Sequence, residues 1–147
     1  MYMPVSYEGP VEDYKKLLNG VQLWDVGVER QVQIKGPDAE ALSQFLTPRN
    51  IKKCSIGQAM YTPLVDFKGG LLNDPVMLKI DADCFWFSVS DGDLILWVQA
   101  IAAGYKFDVE IDEPDVSPLQ VQGPNSTKLM TKVFGDWVSD LGFYKFK

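Results

Sequence analysis

Gln58-Ala59-Met60-Tyr61-Thr62-Pro63-Leu64-Val65-Asp66-Phe67-Lys68-Gly69-Gly70-Leu71-Leu72-Asn73-Asp74-Pro75-Val76-Met77-Leu78-Lys79-Ile80 reads as two strands joined by a tight turn. The turn is Asp66-Phe67-Lys68-Gly69-Gly70, because glycine supplies the positive φ that such turns need. Asn73-Asp74-Pro75 follows it, inside an otherwise apolar strand. Asn and Asp are depleted in strands, and proline removes a ladder donor. A local rule broken inside a consistent element marks a place to look for function. The plain alternative is an edge strand carrying a bulge.

Working outward, Asp81-Ala82-Asp83 makes a second turn and Cys84–Ser90 a third strand of the same meander. Its Phe85, Phe87 and Val89 face one way, and Trp86, Ser88 and Ser90 the other. Ser90 or Asp91 caps a following helix with Leu94, Trp97, Val98 and Ile101 as its buried stripe, and Gly104 ends it. Lys106–Ile111 and Val116–Gln122 are strands flanking an acidic turn at Asp112–Asp115. Upstream, Pro10–Leu18 has the proline, acidic start and basic end of a short helix. Val21–Val26 and Gln31–Lys35 alternate as half-buried strands. Asp38 is the expected N-cap of a helix running to Leu46, with Ala41, Leu42, Phe45 and Leu46 at helical spacing and Pro48 as its stop.

An internal echo runs through the chain. Val32-Gln33-Ile34-Lys35-Gly36-Pro37-Asp38 precedes a helix containing Leu42, and Leu119-Gln120-Val121-Gln122-Gly123-Pro124-Asn125 precedes one containing Leu129. A Gly-Pro-Asx corner alone can join any strand to a helix. Here the match extends over both flanking elements, which favours a duplicated strand–Gly-Pro–helix unit. The fold class expected is α+β, with a mixed or antiparallel sheet and helices packed on it.

Composition bounds the function. The 147 residues are 46% hydrophobic and 12% aromatic, enough material for a core of about one domain. Net charge is −6 and the pI about 4.6, which argues against a general nucleic-acid binder. No 18-residue apolar run indicates a membrane helix, and the N-terminus lacks a secretory signal pattern. Cys54 and Cys84 stand 30 residues apart without a second pair, and there is no histidine. That combination disfavours a zinc site and Cys/His catalysis, and two free thiols fit a cytoplasmic protein. Lys52 and Lys53 are read as solvated surface or a counter-charge for an anionic ligand tail. Without histidine, chemistry rests on carboxylates, tyrosines or a bound cofactor. The polar set to weigh is Tyr61, Asn73, Asp74, Ser88 and Trp137. Tyr61 and Asp74 lie on adjacent strands of one hairpin and can face one ligand. An aspartate there can hold a pteridine-like heterocycle through paired N–H donors. Tyr61 and Trp137 are also ordinary core residues in many proteins.

Trp24-Asp25-Val26, the Gly36-Pro37-Asp38 helix, Leu46-Thr47-Pro48-Arg49-Asn50, Tyr61-Thr62-Pro63, Gly69-Gly70-Leu71-Leu72-Asn73-Asp74 and Val121-Gln122-Gly123-Pro124 together resemble the glycine-cleavage T-protein family of tetrahydrofolate-dependent aminomethyltransferases. Within it, Leu23–Val32 and Asn73-Asp74-Pro75-Val76 look closer to the dimethylsulfoniopropionate demethylases. The resemblance covers about residues 7 to 137. It implies a folate-binding fold, tetrahydrofolate as the cofactor, and a small-molecule substrate. It also implies that residues 1–147 are the N-terminal part of a longer protein. The aromatic tail from Gly135 to Lys147 reads the same way, so the piece alone is expected to be inactive and to self-associate.

One position departs from the pattern. T-proteins usually carry two aspartates after the Gly-Gly turn, and here the first is Asn73. That change suits methyl transfer from a sulfonium, whose neutral thioether leaving group needs no general acid. The resemblance then assigns Asp74 and Asn73 to catalysis, Asp74, Tyr61 and Ser88 to the folate, and Tyr61 and Trp137 to the substrate, with Trp137 facing the sulfonium by cation–π contact. The rival readings are a T-protein-like aminomethyltransferase and a non-catalytic folate-binding domain that supports iron–sulfur or tRNA-modification pathways.

Overall fold

The structure is a computed structural model, and it describes residues 4–90 and 92–147. The described residues form four α-helices and nine strands, and the strand pairings among them are antiparallel. The chain divides into two compact units. One comprises the chain up to Val26 and Pro118–Gly142, and the other Gly27–Ser117 and Phe143–Lys147.

The larger unit holds a five-stranded sheet in the order β3-β6-β7-β2-β8. These strands are β2 (Gln31–Lys35), β3 (Gln58–Tyr61), β6 (Val76–Asp81), β7 (Cys84–Ser88) and β8 (Glu110–Asp112). Period-two alternation gives the sheet two unlike faces. Val32, Ile34, Met77, Phe85 and Phe87 point into a core closed by α2 (Ala39–Phe45) and α3 (Leu94–Tyr105), through Leu42, Leu94, Val98 and Ile101. Lys79 also lies on that face. Its Nζ bonds Glu40 at 2.9 Å and sits 5.3 Å from the Phe85 ring centre, so the stem is buried while the charge is paired.

The stretch from Gln58 to Ile80 is not one continuous hairpin. Its strands break at Thr62-Pro63 and Asp74-Pro75, and β4 (Leu64–Val65) and β5 (Leu71–Asn73) form a separate ribbon beyond the break. Neither proline has an N–H to give to a ladder, and with Pro75 across from Thr62 and Pro63 across from Asp74 the regular pairing lapses over these two adjacent positions. Buried groups secure the bend. Thr62 N donates to Pro75 O at 2.9 Å, Thr47 Oγ1 to Pro63 O at 2.6 Å, and Val65 N to Leu46 O at 3.2 Å. At the ribbon tip Asp66 Oδ1 accepts from Lys68 N and Gly70 N at 2.8 and 2.7 Å.

The smaller unit contains α1 (Pro10–Asn19), β1 (Gln22–Asp25), β9 (Leu119–Gln122) and α4 (Ser126–Phe134), with β1 paired to β9. None of its helical or strand residues is buried, and Leu23 and Trp24 on β1 are exposed where half-burial was expected. The duplicated unit is present. β2-Gly36-Pro37-Asp38-α2 and β9-Gly123-Pro124-Asn125-α4 share their corner geometry, with Asp38 at φ −98°, ψ 12° and Asn125 at φ −96°, ψ 8°.

Several sequence expectations need correction. Asp38 makes no cap bond, and its Oδ2 instead accepts from Asp108 N at 2.9 Å, tying the corner to the chain entering β8. On α2, Leu42 and Leu46 are buried but Ala41 and Phe45 are exposed. Helix α3 starts at Leu94 after Asp93, and the expected cap Asp91 lies outside the described residues. The helix passes Gly104 and ends on Lys106, which takes the left-handed conformation at φ 60°. The strands expected over 106–111 and 116–122 contract to Glu110–Asp112 and Leu119–Gln122.

Candidate functional site

The face of the five-stranded sheet opposite the helices carries the polar groups. Register places Tyr61, Val76, Ser88 and Gln31 in one row across β3, β6, β7 and β2. Directly opposed residues share a face, so Tyr61 and Ser88 point to the same side, about 10 Å apart at two strand spacings. The next row holds Ala59, Leu78, Trp86, Gln33 and Asp112. It is laced together. Trp86 Nε1 donates to Gln33 Oε1 at 2.8 Å, and Gln33 Nε2 to Asp112 Oδ1 at 2.9 Å. In the first row Gln31 Nε2 donates to Ser88 Oγ at 2.9 Å.

The proline bend sets the corner of this face. Tyr61 is the last residue of β3 and Asp74 the residue before Pro75, so both side chains stand where the ribbon leaves the sheet. Tyr61 OH donates to Asp74 Oδ2 at 3.3 Å. Partial desolvation, then the Asp74 carboxylate as charge and as acceptor, and then Tyr144 raise the Tyr61 phenol above its ordinary value of 10.0. The phenol is therefore a neutral donor at physiological pH. Asp74 is exposed, and a carboxylate offers about four lone-pair directions, of which Tyr61 takes one. The rest suit the paired N–H donors of a planar heterocycle.

Of the residues singled out in the sequence, Tyr61, Asp74 and Ser88 are thus assembled on one face. Asn73 is a half-buried residue of β5 opposite Leu64, next to Asp74 in the chain. Trp137 belongs to the smaller unit. It is 38% exposed and its Nε1 donates to Phe134 O at 2.8 Å. Sequence reading missed Tyr144. This residue lies in Phe143–Lys147, which returns to the larger unit and pairs along β3, with Gln58 opposite Lys145 and Ala59 N donating to Tyr144 O at 2.8 Å. Five residues without periodicity gave no strand signal, and Tyr144 itself is left-handed at φ 54°.

Other features do not compete with this site. Two hollows, one lined by Gln99, Lys106 and Phe107 and one by Phe45, Phe67 and Trp97, contain none of Tyr61, Asp74 and Ser88. Among the described residues no group of three or more His, Cys, Asp or Glu could hold a metal ion, and no helix is long and apolar enough to cross a membrane.

Residues 1–147 match the family model described as the GCVT N-terminal domain. The chain belongs to this family. Dimethylsulfoniopropionate demethylase DmdA of Ruegeria pomeroyi is 47% identical over 147 residues, covering 100% of this chain and 40% of that protein. An aminomethyltransferase of Desulfitobacterium hafniense is 28% identical over 148 residues, covering 99% of this chain and 40% of that protein. Among solved structures, the glycine cleavage system aminomethyltransferase T from Bartonella henselae superposes with a TM-score of 0.88 at 20% identity, over 97% of this chain and 40% of that one. At that identity the match establishes the fold. The chain spans about two-fifths of the length of these relatives.

Proposed function

We propose that this domain forms part of a tetrahydrofolate-dependent methyltransferase that demethylates a sulfonium of the dimethylsulfoniopropionate class. The observation that carries the reading is the contrast in identity: 47% to the sulfonium demethylase against 28% to the aminomethyltransferase over the same span. Asn73 supports it, standing where T-proteins place an acid. The face also fits a reduced folate, with an exposed carboxylate for paired N–H donors, a neutral phenol beside it, and a hydroxyl in the same row.

Tetrahydrofolate would supply, when bound, the N5 atom that accepts the methyl group as the carbon–sulfur bond breaks, the proton N5 carried being released to solvent. Asp74 anchors the heterocycle, and Tyr61 holds the Asp74 carboxylate in place through its phenol while lining the substrate side. Ser88 contributes a further hydrogen bond. Asn73 offers an amide without negative charge or an acidic proton. A sulfonium departs as a neutral thioether, so no side chain has to protonate it. The protein's contribution is then alignment of acceptor, methyl carbon and sulfur, which can supply a large share of the rate. An indole such as that of Trp137 can meet a fixed positive charge by cation–π contact. Such a contact stabilises the reactant as much as the transition state, so it serves binding more than rate.

The test uses the protein at the length of its relatives. Incubated with tetrahydrofolate and dimethylsulfoniopropionate, it is expected to form 5-methyltetrahydrofolate and the demethylated thioether. Turnover of an aminomethyl-loaded lipoyl protein, with no methyl transfer from the sulfonium, would overturn the reading and select aminomethyl transfer. Asn73→Asp is expected to lower sulfonium demethylation if the added charge displaces the folate.

A further inference from the structure

We infer that Gln31 is a positioning residue for the folate-facing row, and that it fixes the Ser88 hydroxyl as a hydrogen-bond donor to the ligand. This rests on the folate reading above. Gln31 is a polar side chain only 6% exposed, lying opposite Ser88 on β2. Its Nε2 donates twice, to Glu29 O at 3.0 Å and to Ser88 Oγ at 2.9 Å. The Glu29 carbonyl settles which way the amide lies. A carbonyl oxygen accepts only, so it must face the NH2 end of Gln31 and not its oxygen. With the amide held, both N–H groups are committed, and Ser88 Oγ necessarily accepts. A serine hydroxyl has one proton, and that proton is left to point away from Gln31. Ser88 shares its row with Tyr61, so the proton is available on the face where Asp74 and Tyr61 stand.

The row therefore carries a division of labour. Asp74 accepts, from donor groups on the ligand. Ser88 donates, to a ring nitrogen or carbonyl oxygen. A heterocycle bearing donors on one edge and an acceptor on another satisfies both, and a ligand presenting donors at both positions does not. Gln31 touches no ligand in this arrangement and acts through Ser88.

The experiment measures binding of 5-formyltetrahydrofolate, a stable reduced folate, by calorimetry at about pH 8. The proteins, at the relatives' full length, are the parent, Ser88→Ala, Gln31→Glu, Gln31→Met, and each Gln31 variant combined with Ser88→Ala. Ser88→Ala is expected to weaken binding by roughly 3- to 10-fold, the loss of one neutral hydrogen bond. Gln31→Glu places a carboxyl oxygen against Ser88 Oγ, any proton it retains going to Glu29 O, so it captures the Ser88 proton and is expected to weaken binding at least as much. Gln31→Met merely releases the hydroxyl and is expected to cost less. On the Ser88→Ala background both Gln31 effects should vanish. A purely structural Gln31 would show the opposite order, because Glu keeps the shape and Met does not. That order, or losses that multiply in the double variants, overturns the inference while leaving the folate reading intact. Full affinity in Ser88→Ala also overturns it. Absence of binding by the parent overturns both. Thermal midpoints identify a variant that fails to fold, and the remaining Gln31 variant with its double then decides.

Discussion

Gly36 and Gly123, 87 residues apart, hold the same backbone conformation, φ 137° and φ 130°, and each presses its Cα against the chain entering a neighbouring antiparallel strand. A Cβ on Gly36 would lie 2.8 Å from Asp108 O, and one on Gly123 2.4 Å from Gly20 O. Those atoms are backbone and cannot swing aside. Gly36→Ala and Gly123→Ala are each expected to destabilise their own unit by roughly 2–4 kcal/mol, through contact and positive φ together. Gly104→Ala is the control. No neighbouring atom lies within 4 Å of a Cβ there and the site is inside α3, so it should stabilise by about 0.5–1 kcal/mol. Urea midpoints at constant slope would read all three.

The Tyr61–Asp74 pair makes a prediction about pH. The phenol's proton is held more firmly in the folded chain than in the unfolded one. Its contribution to stability is therefore complete below the ordinary value of 10.0 and is lost as pH climbs through the raised folded value. Asp74→Asn removes the charge but not the partial burial, so Tyr61 should titrate lower than in the parent without returning fully to the ordinary value. Phenolate absorbance in the two proteins would check it, and an unchanged or higher titration would contradict it.

Asp74→Ala should weaken reduced-folate binding in the protein at the relatives' length by roughly 1.5–3 kcal/mol, the range for a hydrogen bond to a charged group. Calorimetry that returned the parent affinity would remove Asp74 from the proposed anchor role.

The Lys79–Glu40 pair separates loss of the more exposed partner from loss of the more buried one. The Lys79 side chain is 12% exposed and lies over Phe85, whereas Glu40 is 39% exposed. Glu40→Ala strands a largely covered ammonium and should cost about 1–2 kcal/mol. Lys79→Met keeps the stem packing and should stay within about 1 kcal/mol of the parent. Equal losses by thermal unfolding would argue against this asymmetry.

Burial raises the thiols of both Cys54 and Cys84, more than the nearby lysines lower them. Both are free in the fold. Neither should react readily with a thiol reagent at neutral pH, and both should titrate once the chain is unfolded. Fast native labelling of either would show that its surroundings open.

Much of the fold was legible because its signals are local. The Gly-Pro-Asx corner needs one positive φ and one close approach, so the repeat showed in a few residues, and alternation in Cys84–Ser88 gave both sheet faces. What stayed hidden depended on pairing across distance. Pro63 and Pro75 look like two separate interruptions until the β3–β6 register brings them to adjacent positions, across from Asp74 and Thr62, and the hairpin parts. Asp38 looked like a helix cap because its neighbours in sequence form a helix, but the N–H it meets belongs to Asp108. Tyr61 and Asp74 were found from the hairpin. Gln31 was not, because nothing in β2 announces that Glu29 O and Ser88 Oγ flank its amide.

The short pairing of Gln58 with Lys145 has a consequence for how the chain is made. The β3 strand lies at the end of the sheet order, and its outer edge meets a segment that follows it by more than eighty residues. During synthesis the sheet of the larger unit can assemble from residues 27–117 while that edge is still open. An open strand edge is a template for pairing with another chain. The interval between assembly of that sheet and translation of Lys145 is thus a period of exposure to misassembly. Closing the edge is a late, long-range event, of the kind that slows folding through loop-closure entropy.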